Sequence, residues 1–361
     1  MNTLDTFIAG LPKAELHVHH VGSASPATVA ALAARYEGAT PVPADAELLA
    51  NYFTFTDLGH FIEVYLSVVD LIRDAEDIWT LTYDVAADLA AQQVRYAELT
   101  LTPYSSIRRG IAAEAYCEAV EDARRRAAAD HGIQLAWCFD IPGEAGLEAA
   151  DITLDVALNH RPDGLVSFGL GGPELGVPRA QFAPHFAAAR AAGLHSVPHA
   201  GESSGPESIW DALTHLGAER IGHGIAAARD ERLLAHLRDH GIALEVCPTS
   251  NVCTRAVASL AEHPLPVLVA AGVPVSINSD DPPMFSTTLN AEYAVAAALL
   301  DLDATGVAEL ARAGVRQSFL GEQGQRALLA EIDAYCVAPD RATFGPAARP
   351  DVAQSSVGGA D

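Results

Sequence analysis

Short apolar runs of strand character recur along the chain at 14–19, 94–101, 133–140, 164–170, 194–199, 219–223, 242–247 and 273–279. Between most of them lie alanine-rich stretches whose apolar positions repeat at helical spacing. The segment EAYCEAVEDARRRAAAD, 114–130, predicts one such helix, stopped at His131-Gly132 where glycine suits a left-handed terminus. Eight alternating strand and helix units predict an α/β fold, a (β/α)8 TIM barrel. The interval 20–93 is too long for one crossover and predicts a helical insertion after strand 1, lying over the barrel mouth as a lid. Its first helix starts at Ser25-Pro26, with serine as N-cap and proline in the first turn. In the continuation NYFTFTDLGHFIEVYLSVVDLI, Phe53, Phe55 and Phe61 either line a ligand entrance or pack between helices. Residues 1–345 thus read as one domain, and the small, polar tail 346–361 is expected to be disordered.

Composition narrows the partners. Half of the 361 residues are hydrophobic and 19% are charged, enough for a substantial core. The net charge of −25 repels phosphate backbones and anionic lipid, so neither nucleic acid nor a membrane is expected as a partner. Lys13 is the only lysine, and its place before the first strand speaks against Schiff-base chemistry. The five cysteines, Cys117, Cys138, Cys247, Cys253 and Cys336, form no C-x-x-C pair and read as reduced and mostly buried. The start MNTLDTFIAGLPK has no basic and apolar leader pattern, and a cytoplasmic protein is expected.

The chemistry gathers at strand ends. In AELHVHHVGS, strand alternation points His17 and His19 to the same face while Val18 points away. SVPHAGE, RIGHG and VSINSDDPP place further ionisable groups at the C-terminal ends of strands, where barrel enzymes build their sites. His17, His19, His199 and Asp280 make a three-histidine, one-carboxylate set. Such ligands with an open position suit one catalytic zinc, and ligand type alone does not exclude iron or manganese. Taken singly, His199 and His223 read as well as core histidines, and Asp280-Asp281 as a turn cap before Pro282. Glu202, three residues beyond His199, can approach a substrate without ligating the metal, as a general acid and base.

LPKAELHVH, HAGE, RIGHG, LEVCPTSN and SINSDDP, in this order over residues 11 to about 290, resemble the successive signatures of the adenosine deaminase family. The resemblance implies zinc on His17, His19, His199 and Asp280, with His223 orienting the attacking hydroxide. It further implies Glu202 at purine N1, Asp281 at N7 and the backbone amide of Gly172 at N3, in a small-molecule aminopurine nucleoside substrate. Asp281 must carry a proton to donate to N7, or N7 must carry it. The P-C-x-x-C signature of cytidine deaminases is absent.

Two departures bear on the substrate. Members of the family that act on adenosine carry an aspartate where this chain has Val21, so a hydroxyl acceptor is replaced by an apolar wall, and Thr100 stands at a usual arginine. Beyond strand 2, Ser105, Ser106, Arg108 and Arg109 form either a carboxylate clamp or a solvated basic turn. HVHHVGSASP with INSDDPPMF looks similar to the family members assigned to 6-aminodeoxyfutalosine, an adenosine with a carboxyphenyl-ketone arm at its 5′ end, used in menaquinone synthesis. Adenosine, adenine and other 5′-modified adenosines are the alternative substrates. A noncatalytic purine-binding barrel would have little need for so many ionisable residues. An ester- or amide-hydrolysing barrel would not need the ring-directed contacts of HAGE and SDDP.

Overall fold

A computed structural model describes residues 3–56 and 58–337. Eight parallel strands follow one another around a single sheet in chain order: β1 (Lys13–His19), β2 (Val94–Leu101), β3 (Gln134–Pro142), β4 (Leu165–Gly171), β5 (His195–Ala200), β6 (Arg220–His223), β7 (Ala243–Val246) and β8 (Val275–Ile277). Closure comes just beyond β8. The N–H of Asp280 donates to the carbonyl of His17 at 3.0 Å, and the N–H of His19 to the carbonyl of Asp280 at 2.8 Å. Side chains reinforce the seam, with Asn278 Oδ1 accepting the Leu16 N–H and Glu15 accepting the Ser279 N–H, both at 2.9 Å.

The expected eight strands are present, because parallel strands covered by helices read as short, nearly continuous apolar runs. The helix expected at 114–130 spans Ala113–His131 and ends on Gly132 at φ 68°. Ser25 caps Pro26–Arg35, its hydroxyl accepting the Thr28 N–H at 3.2 Å. The interval 20–93 divides into two parts. Helices Pro26–Arg35, Ala46–Tyr52 and Leu58–Val69 form the excursion, of which Leu58–Val69 borders the cavity at the mouth through Phe61, Tyr65 and Leu66. Ala75–Ala91 belongs instead to the outer ring: it lies beside Ala113–His131, with Trp79 donating to Asp122 and Tyr83 to Asp130. The expected tail 346–361 lies outside the described residues.

Among the described residues no helix is long and apolar enough to cross a membrane. All five cysteines are free thiols, three of them buried. Lys13 is buried at the closed end, donating to the carbonyls of Ile8 and Leu11 at 2.8 and 2.6 Å, and burial draws its ammonium down to about 7. It is tied into structure and does not border the cavity at the barrel mouth.

Candidate active site

His17 and His19 leave the C-terminal half of β1 on one face, as alternation requires. His17 enters the barrel mouth between two carboxylates: its Nδ1 is 2.8 Å from Glu245 Oε2 on β7, and its Nε2 is 3.5 Å from Asp280 Oδ1. His19 Nε2 stands 3.3 Å from the same Asp280 oxygen and 3.2 Å from His199 Nε2. Atoms held about 2.0–2.1 Å from a tetrahedral zinc lie roughly 3.4 Å apart, so these separations are those of ligands around one small cation. His17 Nε2 is buried and has no hydrogen-bond partner; burial opposes a charge on the ring, but Asp280 and Glu245 outweigh it and raise His17 to about 10, so it would take a metal ion by giving up a proton. Burial holds His19 and His223 down at about 4 and His199 well below its ordinary value, leaving neutral imidazoles, the form that binds metals. The residues fit a metal ion.

The ring nitrogens of His17, His199 and His223 also lie within 4.8 Å of one another, as do the ligand atoms of His17, Cys247 and Asp280. Cys247 makes a poor ligand here, because burial pushes its thiol well above the ordinary range and keeps it protonated. His223 is engaged elsewhere. Its Nδ1 is 3.1 Å from Asn251 Nδ2, and its Nε2 faces Glu202 and Asp280, each at 3.8 Å. Both His223 (φ 58°) and Asp280 (φ 65°) take the left-handed backbone conformation that side chains other than glycine rarely adopt. Such strain concentrates at functional sites, and here it turns both side chains into the mouth at their strand ends.

Two carboxyls are positioned as proton carriers. Burial, then the charges of Asp280 and Glu174, push Glu202 up to about 8. Burial, then Asp280, raise Asp281 well above the usual carboxylate range, while Asp280 is held well below it: burial opposes ionisation, but His17, His223 and His19 outweigh it. The adjacent pair therefore divides into one anion and one acid, as the resemblance demands for a donor to N7. Ser250 donates to Asp280 Oδ2 at 2.6 Å, and Asp281 rests on Gly22, where any Cβ would overlap its carboxyl.

His19, His199, Glu202, His223, Asp280, Asp281 and Gly172 all border one cavity of about 390 Å³, walled above by Phe61, Leu66 and Phe285. Phe61 packs 4.9 Å from Phe285, while Phe53 is buried away from the cavity, so of the three lid phenylalanines Phe61 alone lines it. Val21 does not border this cavity; it borders a small adjoining cleft of about 20 Å³ that shares Tyr65, Thr102 and Ser105 with it.

The expected serine and arginine clamp is split. Ser105 and Arg108 face the cavity. Arg109 turns outward, ion-paired with Asp70 and donating to the Ser105 carbonyl at 2.9 Å, because a carboxylate of the excursion reaches it first. Ser106 is buried and borders only the adjoining cleft.

Sequence reasoning missed the supporting residues. Glu245 orients His17 and is itself held by Arg220, which bridges it at 2.6 Å to Glu98 deeper in the barrel. Glu174 accepts the backbone N–H groups of Gly201, Glu202 and Ser203 at 2.7, 2.8 and 2.8 Å, together with the Ser204 and Ser208 hydroxyls at 2.5 Å. Burial alone would raise its carboxyl, but those donors outweigh it and hold it at about 2. Thr254 donates to Glu202 at 3.1 Å. The signals were present, since LEVCPTSN contains Glu245 and Asn251 and GLGGPE contains Glu174.

The adenosine deaminase family model matches residues 12–335. The chain belongs to the adenosine deaminase family. It is a hydrolytic deaminase of a metal-dependent family. It is 65% identical over 337 residues to the aminodeoxyfutalosine deaminase of Streptomyces avermitilis, covering 93% of this chain and 94% of that one. An adenine deaminase of Cupriavidus taiwanensis is 36% identical, covering 91% and 93%. Among solved structures, the adenine deaminase of Arthrobacter aurescens superposes with a TM-score of 0.86 at 32% identity, covering 91% of this chain and 100% of that one. The expected barrel and family are thereby established.

Proposed function

We propose that this deaminase converts 6-aminodeoxyfutalosine into futalosine and ammonia in the cytoplasm, as a single-domain zinc enzyme. The high identity to an aminodeoxyfutalosine deaminase supports this reading, whereas the adenine deaminases are more distant. The observation that carries it is the make-up of the walls: Val21, where the resemblance puts a hydroxyl acceptor for adenosine, borders the adjoining cleft, and Phe61, Leu66 and Arg108 border the main cavity. Apolar side chains together with a guanidinium, which lies over the Tyr104 ring, suit an aryl arm ending in a carboxylate.

His17, His19, His199 and Asp280 would hold the metal, which when bound lowers the pKa of a ligated water toward about 7. The protein's own groups do the rest. Glu202 in its acid form donates to purine N1, making C6 electrophilic enough for attack. His223, fixed by Asn251, directs the incoming oxygen. Protonated Asp281 donates to N7 and the Gly172 N–H to N3, so the ring is gripped on both edges while ammonia departs from C6.

The deciding experiment compares ammonia release from 6-aminodeoxyfutalosine and adenosine by the zinc-loaded protein, with Glu202→Ala as control. A strong preference for the first substrate is expected, and Val21→Asp should shift it toward adenosine. Native preference for adenosine together with no effect of Val21→Asp would overturn the reading.

A further inference from the structure

One buried carboxyl at the cavity has no task in this chemistry. Asp140, near the end of β3, is 3% exposed and borders the cavity, yet its Oδ1 has no hydrogen-bond partner. A buried polar atom left unpaired is costly and calls for a ligand or another partner. The chain makes room for it. Asp140 pairs in register with Gly169 of β4, and a Cβ there would stand 2.7 Å from Asp140 Oδ1, while one at Gly171 would stand 2.5 Å from Oδ2. Four residues on, Glu144 is exposed on the same cavity wall, with its carboxylate over Gly172 so closely that a Cβ would overlap it. Glu144 thus lies against the glycine assigned to purine N3, and Asp140 against Gly171 just before it.

The order of contacts around the purine says what they meet. N1 falls to Glu202 after β5, N3 to Gly172 after β4, and N7 to Asp281 after β8, next to β1. The ring's remaining edge, running from N3 through N9 and C8 to N7, must face β3, β2 and β1. N9 carries the sugar. The next strand after N3's is β3, and its carboxyls are Asp140 and Glu144.

We infer that Asp140 and Glu144 bind the 2′- and 3′-hydroxyls of the substrate's ribose and so select ribonucleosides over deoxynucleosides and free purines. A vicinal diol offers two donors to two acceptors, and the second carboxyl oxygens remain for water. The inference rests on the orientation of the purine in the proposed function. It leaves the β2 loop and Arg108 free to take the 5′ arm.

The test measures kcat/KM by ammonia release for 6-aminodeoxyfutalosine and its 2′-deoxy and 3′-deoxy analogues, in the parent, Asp140→Asn and Glu144→Gln. Glu144 is exposed, so its variant keeps the fold even if the buried substitution does not. Each variant should lose about 10- to 100-fold on the ribose substrate, mainly through KM, and much less on the analogue lacking its partner hydroxyl. Equal losses on all three compounds, or none, would overturn this inference alone. A parent that releases ammonia from none of them would overturn the proposed function as well.

Discussion

Glu174 accepts the backbone N–H of Glu202 at 2.8 Å, so the acid assigned to purine N1 hangs from a second carboxylate on the neighbouring strand's loop. Six donors converge on Glu174 from residues 201–208. They fix the turn after β5 that carries Glu202 into the mouth.

That arrangement predicts an acid-side stability signature. The folded carboxyl titrates at about 2 against an ordinary 4.5, so the folded state binds fewer protons than the unfolded one in between. Its contribution, roughly 3 kcal/mol, is present above about pH 4.5 and is lost as pH falls toward 2. Urea unfolding of Glu174→Gln should show a deficit of this order at pH 7 that narrows by pH 3. A deficit equal at both pH values would contradict the assignment.

Glu245 would act on a bound metal through His17. Its carboxylate fixes the ring so that Nδ1 faces Glu245 and Nε2 faces the cluster. Glu245→Gln should weaken zinc affinity about 10- to 100-fold in a chelator competition, with the fold preserved by circular dichroism. Unchanged affinity would make Glu245 a purely structural partner of Arg220.

The split of Arg108 from Arg109 separates two arginines that adjoin in sequence. Arg108→Ala should cost about 10- to 100-fold in kcat/KM on the carboxylate substrate and little on its amide. Arg109→Ala, which removes the surface pair with Asp70 and the contact to the Ser105 carbonyl, should change either rate by less than about threefold. Equal losses on acid and amide for Arg108→Ala would rule out a carboxylate contact.

Gly22 is required by Asp281 rather than by its own backbone. A methyl group there would occupy the position of the Asp281 carboxyl. Gly22→Ala should therefore lower kcat/KM about 100-fold through displacement of Asp281, while zinc content stays at the parent level. Parent-level activity would show that Asp281 has another place to go.

The sequence by itself determined the barrel and its eight strand positions, and it pointed to the residues that meet at the mouth, His17 and His19 by strand alternation and the others through the family resemblance. Those are local matters: strand alternation aims His17 and His19 together, and barrel geometry sends every strand's C-terminal end to one face. Tertiary structure decided what lies between strands far apart in the chain. Glu245 meets His17 across 228 positions and Glu174 meets Glu202 across 28, contacts that no periodicity encodes. It also separated Ala75–Ala91 from the excursion over the mouth, since a helix's pattern records that one face is buried but not against which neighbour. Arg109 was lost to the site for the same reason: the competing Asp70 becomes a neighbour only when the excursion folds back over β2.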